Sequence, residues 1–248
     1  MTSIEPHNHP IILASSSPRR KELLKTLGIS FVVVPPVTLT GNKGDQGQTE
    51  VDETPLPGES PSALVQRLSR LKAEAVAANP KLLASTRLCT TKEQENHNIF
   101  IIAADTVVVL DKQILGKPRH AAEAIFMLQQ LRQQSHYVYT GLTVARLSGE
   151  IRNFVTRLYQ STVWMRPYTD AEIASYVASG DPMDKAGAYG IQNNSFAPVA
   201  RLEGCFASVM GLPLGELTTA FEELGLSLSE NASQCSLYTG RLCCQNNS

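Results

Sequence analysis

Three serines, a proline and three cations stand together near the start of the chain, at residues 15–21. Ser17 is typical of a helix N-cap and Pro18 of a first helical residue, which places the cations 19–21 in the first helical turn. Cations there oppose the positive end of the helix dipole, at a cost of about 0.3–1 kcal/mol each. Free backbone N–H groups, serine hydroxyls and guanidinium groups bind anions, so the stretch predicts a phosphate site. A solvated basic turn is the alternative.

A single carboxylate interrupts the long apolar run at residues 99–110. Such a run is typical of a strand buried on both faces, where an ionised Asp105 is costly unless it is paired. Near cations, a buried carboxylate can act as a general base or hold a divalent ion beside phosphates. The alternative is a structural aspartate that caps a neighbouring loop.

Two lysines and a glutamine are further candidates. Lys185 and Gln192 belong to a glycine-rich loop at residues 181–192, where glycines allow the backbone to approach a ligand. Lys185 offers a point charge and Gln192 an amide suited to a nucleobase edge, although the loop could simply turn the chain. Lys72 lies at the edge of an apolar helical stripe, so it either snorkels to solvent or faces a cleft.

The elements that must position these residues alternate between strand and helix patterns. Strands are predicted at residues 10–13, 29–35, 99–110, 136–147, 154–165, 197–202 and 207–210. Helices are predicted at 18–27, 62–78, 121–131, 169–180 and 214–224, the fourth of them opened by a capping box of Thr169 and Glu172. The strands 136–147 and 154–165 are expected to form a hairpin around residues 148–150. A long flexible loop is expected at 38–58 and an irregular insertion at 79–98. The pattern predicts a mixed α/β fold in a single domain, residues 1–228, followed by a disordered polar tail at 229–248.

Composition narrows the class of protein. The 248 residues are 42% hydrophobic, which is ample for a full core, and the net charge of −1 argues against a nucleic-acid binder. No segment approaches the roughly 20 apolar residues that a membrane span needs. Five cysteines without a zinc-type spacing, and a start that lacks the features of a secretory signal, favour a reduced protein in the cytoplasm.

Three blocks of the sequence resemble the signature of the Maf family of nucleoside triphosphate pyrophosphatases. They are SSSPRRKELL at 15–24, Asp105-Thr106 followed by GKP at 116–118, and DKAGAYGIQ at 184–192. Shorter matches are VDE at 51–53 and KA at 72–73, and the resemblance covers most of residues 11–224. The departures are residues 38–50, the insertion at 79–98, the tail, and RQQ at 132–134, where the family usually carries a Ser-Gly turn.

The resemblance implies an elongated, twisted α/β sheet flanked by helices, with two lobes and a central cleft, as in the Maf and ITPase-like folds. It implies hydrolysis of a nucleoside triphosphate to the monophosphate and pyrophosphate, with Asp105 as proton acceptor. Glu53 and Asp105 would hold a divalent cation, Mg²⁺ or Mn²⁺, and Lys72 and Lys117 would join the catalytic residues. The implied substrate-binding residues are Ser15, Arg19, Arg20, Thr106, Lys185 and Gln192.

The positions that determine nucleobase specificity within the family are occupied here by Arg19, Thr106 and Gln192. This combination resembles the branch that acts on dTTP and UTP. The resemblance also implies a homodimer. Because the family has been associated with cell division, a non-catalytic nucleotide-binding regulator is the alternative function.

Overall fold

A computed structural model describes residues 9–40, 47–79 and 98–228 of the chain. Nearly all of the predicted insertion at 79–98, and the predicted tail at 229–248, lie outside these ranges. The strands are β1 (Ile11–Leu13), β2 (Val32–Val33), β3 (Val37–Thr40), β4 (Gly47–Glu50), β5 (Ile99–Leu110), β6 (Gln113–Leu115), β7 (Ser135–Ser148), β8 (Ile151–Met165) and β9 (Val199–Glu203). The helices are α1 (Pro18–Thr26), α2 (Pro61–Ala77), α3 (Ala121–Leu131), α4 (Asp170–Ala178), α5 (Phe206–Val209) and α6 (Leu214–Glu223).

Seven of these strands form one mixed sheet, in the order β2-β1-β5-β7-β8-β9, with β6 also paired to β5. The β1 strand runs parallel to its neighbours, whereas β5, β7, β8 and β9 form an antiparallel series. This arrangement confirms the predicted mixed α/β fold with a central sheet flanked by helices. In the described ranges, no helix is both long enough and apolar enough to cross a membrane.

The strand β5 organises the sheet, because three strands pair with it. On one edge it pairs with β7 along almost its whole length. On the other edge β1 pairs with residues 100–102 and β6 with residues 108–110. Between them, residues 103–107 of β5 pair with no strand of the described chain on that edge, which leaves a gap in the sheet.

Strand alternation divides the core into two layers. Odd-numbered apolar side chains of β5 pack against α2, and even-numbered ones pack against the other helices. Phe100 and Ile102 share a cluster with α1 and α6, and Val108 and Leu110 share one with α3 and α4. Asp105 and Thr106 therefore belong to opposite faces of the same strand.

Several local signals are confirmed. Ser17 caps α1 by accepting a hydrogen bond from the Arg20 backbone N–H, and Pro18 is the first helical residue. Thr169 and Glu172 form the predicted capping box of α4. The strands β7 and β8 form the predicted hairpin about Ser148, Gly149 and Glu150.

Three predicted elements are wrong or too long. The strand at 29–35 is reduced to Val32–Val33, and the segment that follows contains Pro35 and Pro36, which offer no N–H group. The loop predicted at 38–58 includes most of an antiparallel pair, β3 with β4. The strand predicted at 207–210 is the helix α5, capped by Cys205, because a short apolar run does not by itself distinguish a strand from a helical turn.

The helix α2 lies against the sheet at Gly141 of β7. A Cβ atom at this glycine would overlap the backbone carbonyl group of Val65. Gly141 is also the direct cross-strand partner of Asp105. The missing side chain therefore lets α2 lie close to the part of the sheet that carries Asp105.

Gly141→Ala should destabilise the fold, because the added methyl group meets backbone atoms that cannot rotate away. We expect the free energy of unfolding to fall by about 1–3 kcal/mol or more, measured by urea denaturation. Gly116→Ala is the matched control, since no atom lies within 4 Å of the Cβ position there. Equal denaturation midpoints for the two variants would contradict the close approach of α2.

Candidate functional site

A cavity of about 1010 Å³ opens where the sheet is interrupted between β1 and β6. This volume is at the upper end of the range typical of small-molecule sites. Every residue predicted for the site lines it: Ser15, Arg19, Arg20, Glu53, Lys72, Asp105, Thr106, Lys117, Lys185 and Gln192. Segments far apart in sequence thus meet in one cleft.

The centre of the cleft is a buried lysine that holds two carboxylates. The Nζ atom of Lys72, on α2, lies 2.6 Å from an oxygen of Asp105 and 2.6 Å from an oxygen of Glu53. Lys72 and Asp105 are each 7% exposed, whereas more than half of the Glu53 side chain is accessible to solvent. Lys72 therefore faces the cleft, which resolves the alternative that its helical spacing left open.

The two carboxyl groups differ in their affinity for a proton. Burial raises the pKa of Asp105 above its ordinary value, against the opposing charges of Lys72 and Arg20. Partial burial would also raise the pKa of Glu53, but the charge and hydrogen bond of Lys72 outweigh it and lower that pKa. Asp105 is the better proton acceptor near neutral pH, since a raised pKa brings a base closer to the working pH.

Arg20 extends from α1 to the other face of β5. Its Nε group donates to the Gly211 carbonyl at 2.8 Å, and its terminal nitrogens donate to the hydroxyls of Ser15 and Thr106, each at 3.3 Å. These bonds use three of the five guanidinium N–H groups. Burial lowers the pKa of Arg20, partly offset by the charge of Asp105, yet a guanidinium group stays charged at neutral pH.

Two other predicted cations, Lys185 and Arg19, already form ion pairs with carboxylates of the protein. Lys185 donates to the main-chain oxygen of Asp181, to its carboxylate at 3.0 Å, and to the carboxylate of Asp184 at 2.7 Å. These contacts use all three ammonium protons. Arg19 makes a longer contact, 3.4 Å, with the Asp184 carboxylate. Asp184 therefore joins α1 to the glycine-rich loop across the mouth of the cleft.

Lys117 and Gln192 complete the set of predicted residues. Lys117 is exposed in the irregular segment that follows β6, and its charge contributes to the lowered pKa of Glu53. Gln192 is half-buried, and its Oε1 atom is buried without a hydrogen-bond partner among the described residues. An acceptor of this kind, placed in the cavity wall, is suited to polar recognition.

The donor set fits a divalent metal ion that shares its ligands with phosphates. The described part of the chain contains no group of three or more His, Cys, Asp or Glu that could hold a metal alone. It does bring Glu53 and Asp105 to the same ammonium group, so both carboxylates face one point. One or two carboxylates together with substrate phosphates are the usual ligands of Mg²⁺.

Sequence reasoning missed two buried polar residues of β7, His136 and Thr140. His136 Nε2 lies 2.7 Å from the hydroxyl of Tyr189, in the glycine-rich loop. Thr140 lies 3.0 Å from the hydroxyl of Thr106. Both lie on the same buried face of β7 as Val138 and Leu142. A polar residue at a position that the strand pattern predicts to be buried was the signal that could have identified them.

Comparison with known proteins assigns the chain a family. The profile of the family described as Maf-like protein matches residues 10–224. A dTTP/UTP pyrophosphatase of Dictyoglomus turgidum is 40% identical over 218 residues, which cover 88% of this chain and 97% of that protein. Proteins of the same name from Agathobacter rectalis and Carboxydothermus hydrogenoformans are each 41% identical, over 88% and 87% of this chain and 98% of each relative.

The buried imidazole of His136 should make stability depend on pH. Burial lowers its pKa to about 4, from 6.5 in the unfolded chain, so between these values the unfolded state binds a proton that the native state does not. The free energy of unfolding should therefore fall as the pH drops below 6.5, by up to about 3 kcal/mol at full effect.

His136→Gln removes this proton uptake and should make the decline of stability between pH 7 and 4.5 shallower, as measured by urea denaturation at several pH values. His120→Asn, at the exposed N-cap of α3, is the matched control and should keep the wild-type slope. A wild-type slope in the His136 variant would contradict the assignment.

Proposed function

The chain belongs to the Maf-like protein family, and on this premise we propose that it hydrolyses nucleoside triphosphates, dTTP and UTP above all, to the monophosphate and pyrophosphate. The observation that carries the proposal is the buried Asp105, with its raised pKa, beside Lys72 and Arg20 in one cleft. The names of the relatives support the same activity. A purely regulatory nucleotide binder is not favoured by them.

Phosphate binding falls mainly to Arg20 and Lys117. Of the five cations predicted to neutralise the phosphates, Arg19, Lys72 and Lys185 already contact carboxylates. Arg20 keeps two N–H groups for an anion, and Lys117 lies exposed in the cavity wall. Arg19 contributes when the phosphate chain displaces the long contact with Asp184, because a polyanion competes well with a single exposed carboxylate.

Asp105 takes the proton from the attacking water. As the water oxygen bonds to phosphorus, the anhydride bond between the α and β phosphates breaks, and pyrophosphate leaves with the electron pair of that bond. Burial raises the pKa of Asp105, and the adjacent charge of Lys72 opposes this rise and favours the ionised form that accepts the proton. The positive groups around the phosphates stabilise the charge that develops in the transition state.

Glu53 and Asp105 would hold the divalent cation, Mg²⁺ or Mn²⁺. When bound, the ion supplies positive charge to the phosphate oxygens. Lys72 contacts both carboxylates in the described structure, so its ammonium group would share these oxygens with the ion. Glu53 is the more accessible of the two ligands, and its lowered pKa keeps it ionised.

A panel of nucleotides tests the function directly. The protein is incubated with dTTP, UTP and the other canonical triphosphates, with Mg²⁺ or Mn²⁺, and pyrophosphate release is measured. We expect the highest kcat/KM for dTTP and UTP, since Arg19, Thr106 and Gln192 resemble that branch of the family. Tight nucleotide binding without pyrophosphate release would favour the regulator instead. The homodimer and the cytoplasmic location stay predictions.

Asp105→Asn should lower kcat by roughly 10²–10⁴-fold, the usual effect of removing a general base. Asp111→Asn is the matched control, because it makes the same change at an exposed turn residue outside the cavity, where asparagine tolerates the positive φ. Circular dichroism checks the fold of both variants. Undiminished pyrophosphate release by a folded Asp105→Asn protein removes Asp105 from the role of base.

Lys72→Met should shift the acid limb of the pH profile of kcat/KM to higher pH. The ammonium group lowers the pKa of Asp105, so its removal lets that pKa rise further, and the base is then ionised only at higher pH. A shift of about one pH unit or more is expected from the loss of an adjacent charge. Lys25→Met, on the exposed side of α1, should leave the limb in place. A limb that stays or moves to lower pH would contradict the coupling.

A further inference from the structure

The guanidinium group of Arg20 belongs to a ring of hydrogen bonds that includes residues outside the cavity. One terminal nitrogen donates to the Thr106 hydroxyl at 3.3 Å, and Thr106 lies 3.0 Å from the hydroxyl of Thr140. Thr140 donates to the Ser208 carbonyl at 2.9 Å. The backbone N–H of Gly211 bonds the same carbonyl at 2.8 Å, and the Gly211 carbonyl accepts from Arg20 Nε, which closes the ring.

The direction of each bond in the ring is fixed. A carbonyl oxygen can only accept, so the single hydroxyl proton of Thr140 points to Ser208. The contact between the two threonines must then use the proton of Thr106. The Thr106 oxygen is left as an acceptor for the Arg20 N–H, which is the only role it can play beside a guanidinium group.

Thr140 controls this direction without reaching the cleft. It is fully buried, and it lies directly opposite Thr106 in the pairing of β5 with β7. Because Thr140 accepts the Thr106 proton, that proton points away from Arg20 and the Thr106 oxygen is free to accept from the guanidinium group. Without that acceptor, the hydroxyl proton would be free to turn toward a group that offers only donors.

We propose that Thr140 is a positioning residue that orients the phosphate-binding Arg20, by fixing the Thr106 hydroxyl and by anchoring the Ser208 carbonyl. Its bond to Ser208 also holds the segment that presents the Gly211 carbonyl to Arg20 Nε. The ring thereby fixes two guanidinium N–H groups, Ser15 accepts from a third, and the other two are available to a phosphate oxygen. The significance for phosphate binding rests on the proposed function, whereas the orientation of Arg20 does not.

Thr140→Val tests the proposal, because valine keeps the shape and strand propensity of threonine but removes the hydroxyl. The dissociation constant for inorganic pyrophosphate is measured by calorimetry on the full chain. We expect it to rise about three- to tenfold, the effect of one lost hydrogen bond. Thr140→Ser, which retains the hydroxyl, is the matched control and should bind pyrophosphate as the wild type does. Unchanged affinity in Thr140→Val overturns the proposal.

A double-mutant cycle separates positioning from a general structural effect. In an Arg20→Met background, Thr140→Val should cause no further loss of pyrophosphate affinity, because the group it orients is absent. The same fold-change in both backgrounds would show that Thr140 acts without Arg20 and would overturn the proposal. If Thr140→Val does not fold, Thr140→Ala, which also removes the hydroxyl, takes its place in the cycle.

A measurement without ligand distinguishes this proposal from the proposed function. The ¹⁵N relaxation of the Arg20 Nε–Hε group reports the order of the side chain directly. We expect a lower order parameter in Thr140→Val and a wild-type value in Thr140→Ser. Equal order in all three proteins overturns the role of Thr140, while a wild-type protein that releases no pyrophosphate from any nucleotide overturns only the function.

Discussion

The ion pair of Lys72 with Asp105 constrains the rest of the structure. Both groups are almost fully buried between α2 and the sheet, where removing one partner leaves an uncompensated charge at a cost of about 3–5 kcal/mol. The pair requires α2 to lie close to β5 and β7, and the glycine opposite Asp105 makes that approach possible. Packing and the proposed catalysis therefore require the same short distance between α2 and the sheet, since this distance also brings the Lys72 ammonium group to the proposed base.

The cleft joins two chemically different walls. On the face of α2, Lys72, Asp105 and Glu53 are the residues proposed to transfer the proton and hold the metal. On the face of α5, the Arg20 network is proposed to bind phosphate. The glycine-rich loop lies across the opening, held by the contacts of Asp181 and Asp184 with Lys185 and by the buried contact of Tyr189 with His136. Much of the positive charge in the cleft is thus matched before any ligand binds, which limits the repulsion among neighbouring cations.

Sequence patterns predicted the elements that carry strong local signals. Three features depend only on residues that are close in sequence, so a single sequence predicts them. They are the cap and proline at the start of α1, the capping box of α4 and the hairpin of β7 with β8. The partners of Lys72 could not be predicted in this way, because tertiary packing brings Glu53 and Asp105 to it from distant segments. Short segments such as α5 and β3 have too few residues to show a period. Gln133 has a φ of +60°, in the left-handed region that favours glycine, so its residue type does not indicate the turn that it makes.

Adjacent residues of one strand contribute to the two opposite walls of the cleft. Asp105 points to α2 and Thr106 to α5, at the place where the edge of β5 has no neighbouring strand. Because side chains alternate along a strand, a one-residue insertion between Ile102 and Asp105 would exchange these directions without changing either residue. The carboxylate would then point to the hydroxyl network and the threonine to the face of α2. The alternation of side chains between the two faces of β5 is therefore as important to this site as the identity of its residues.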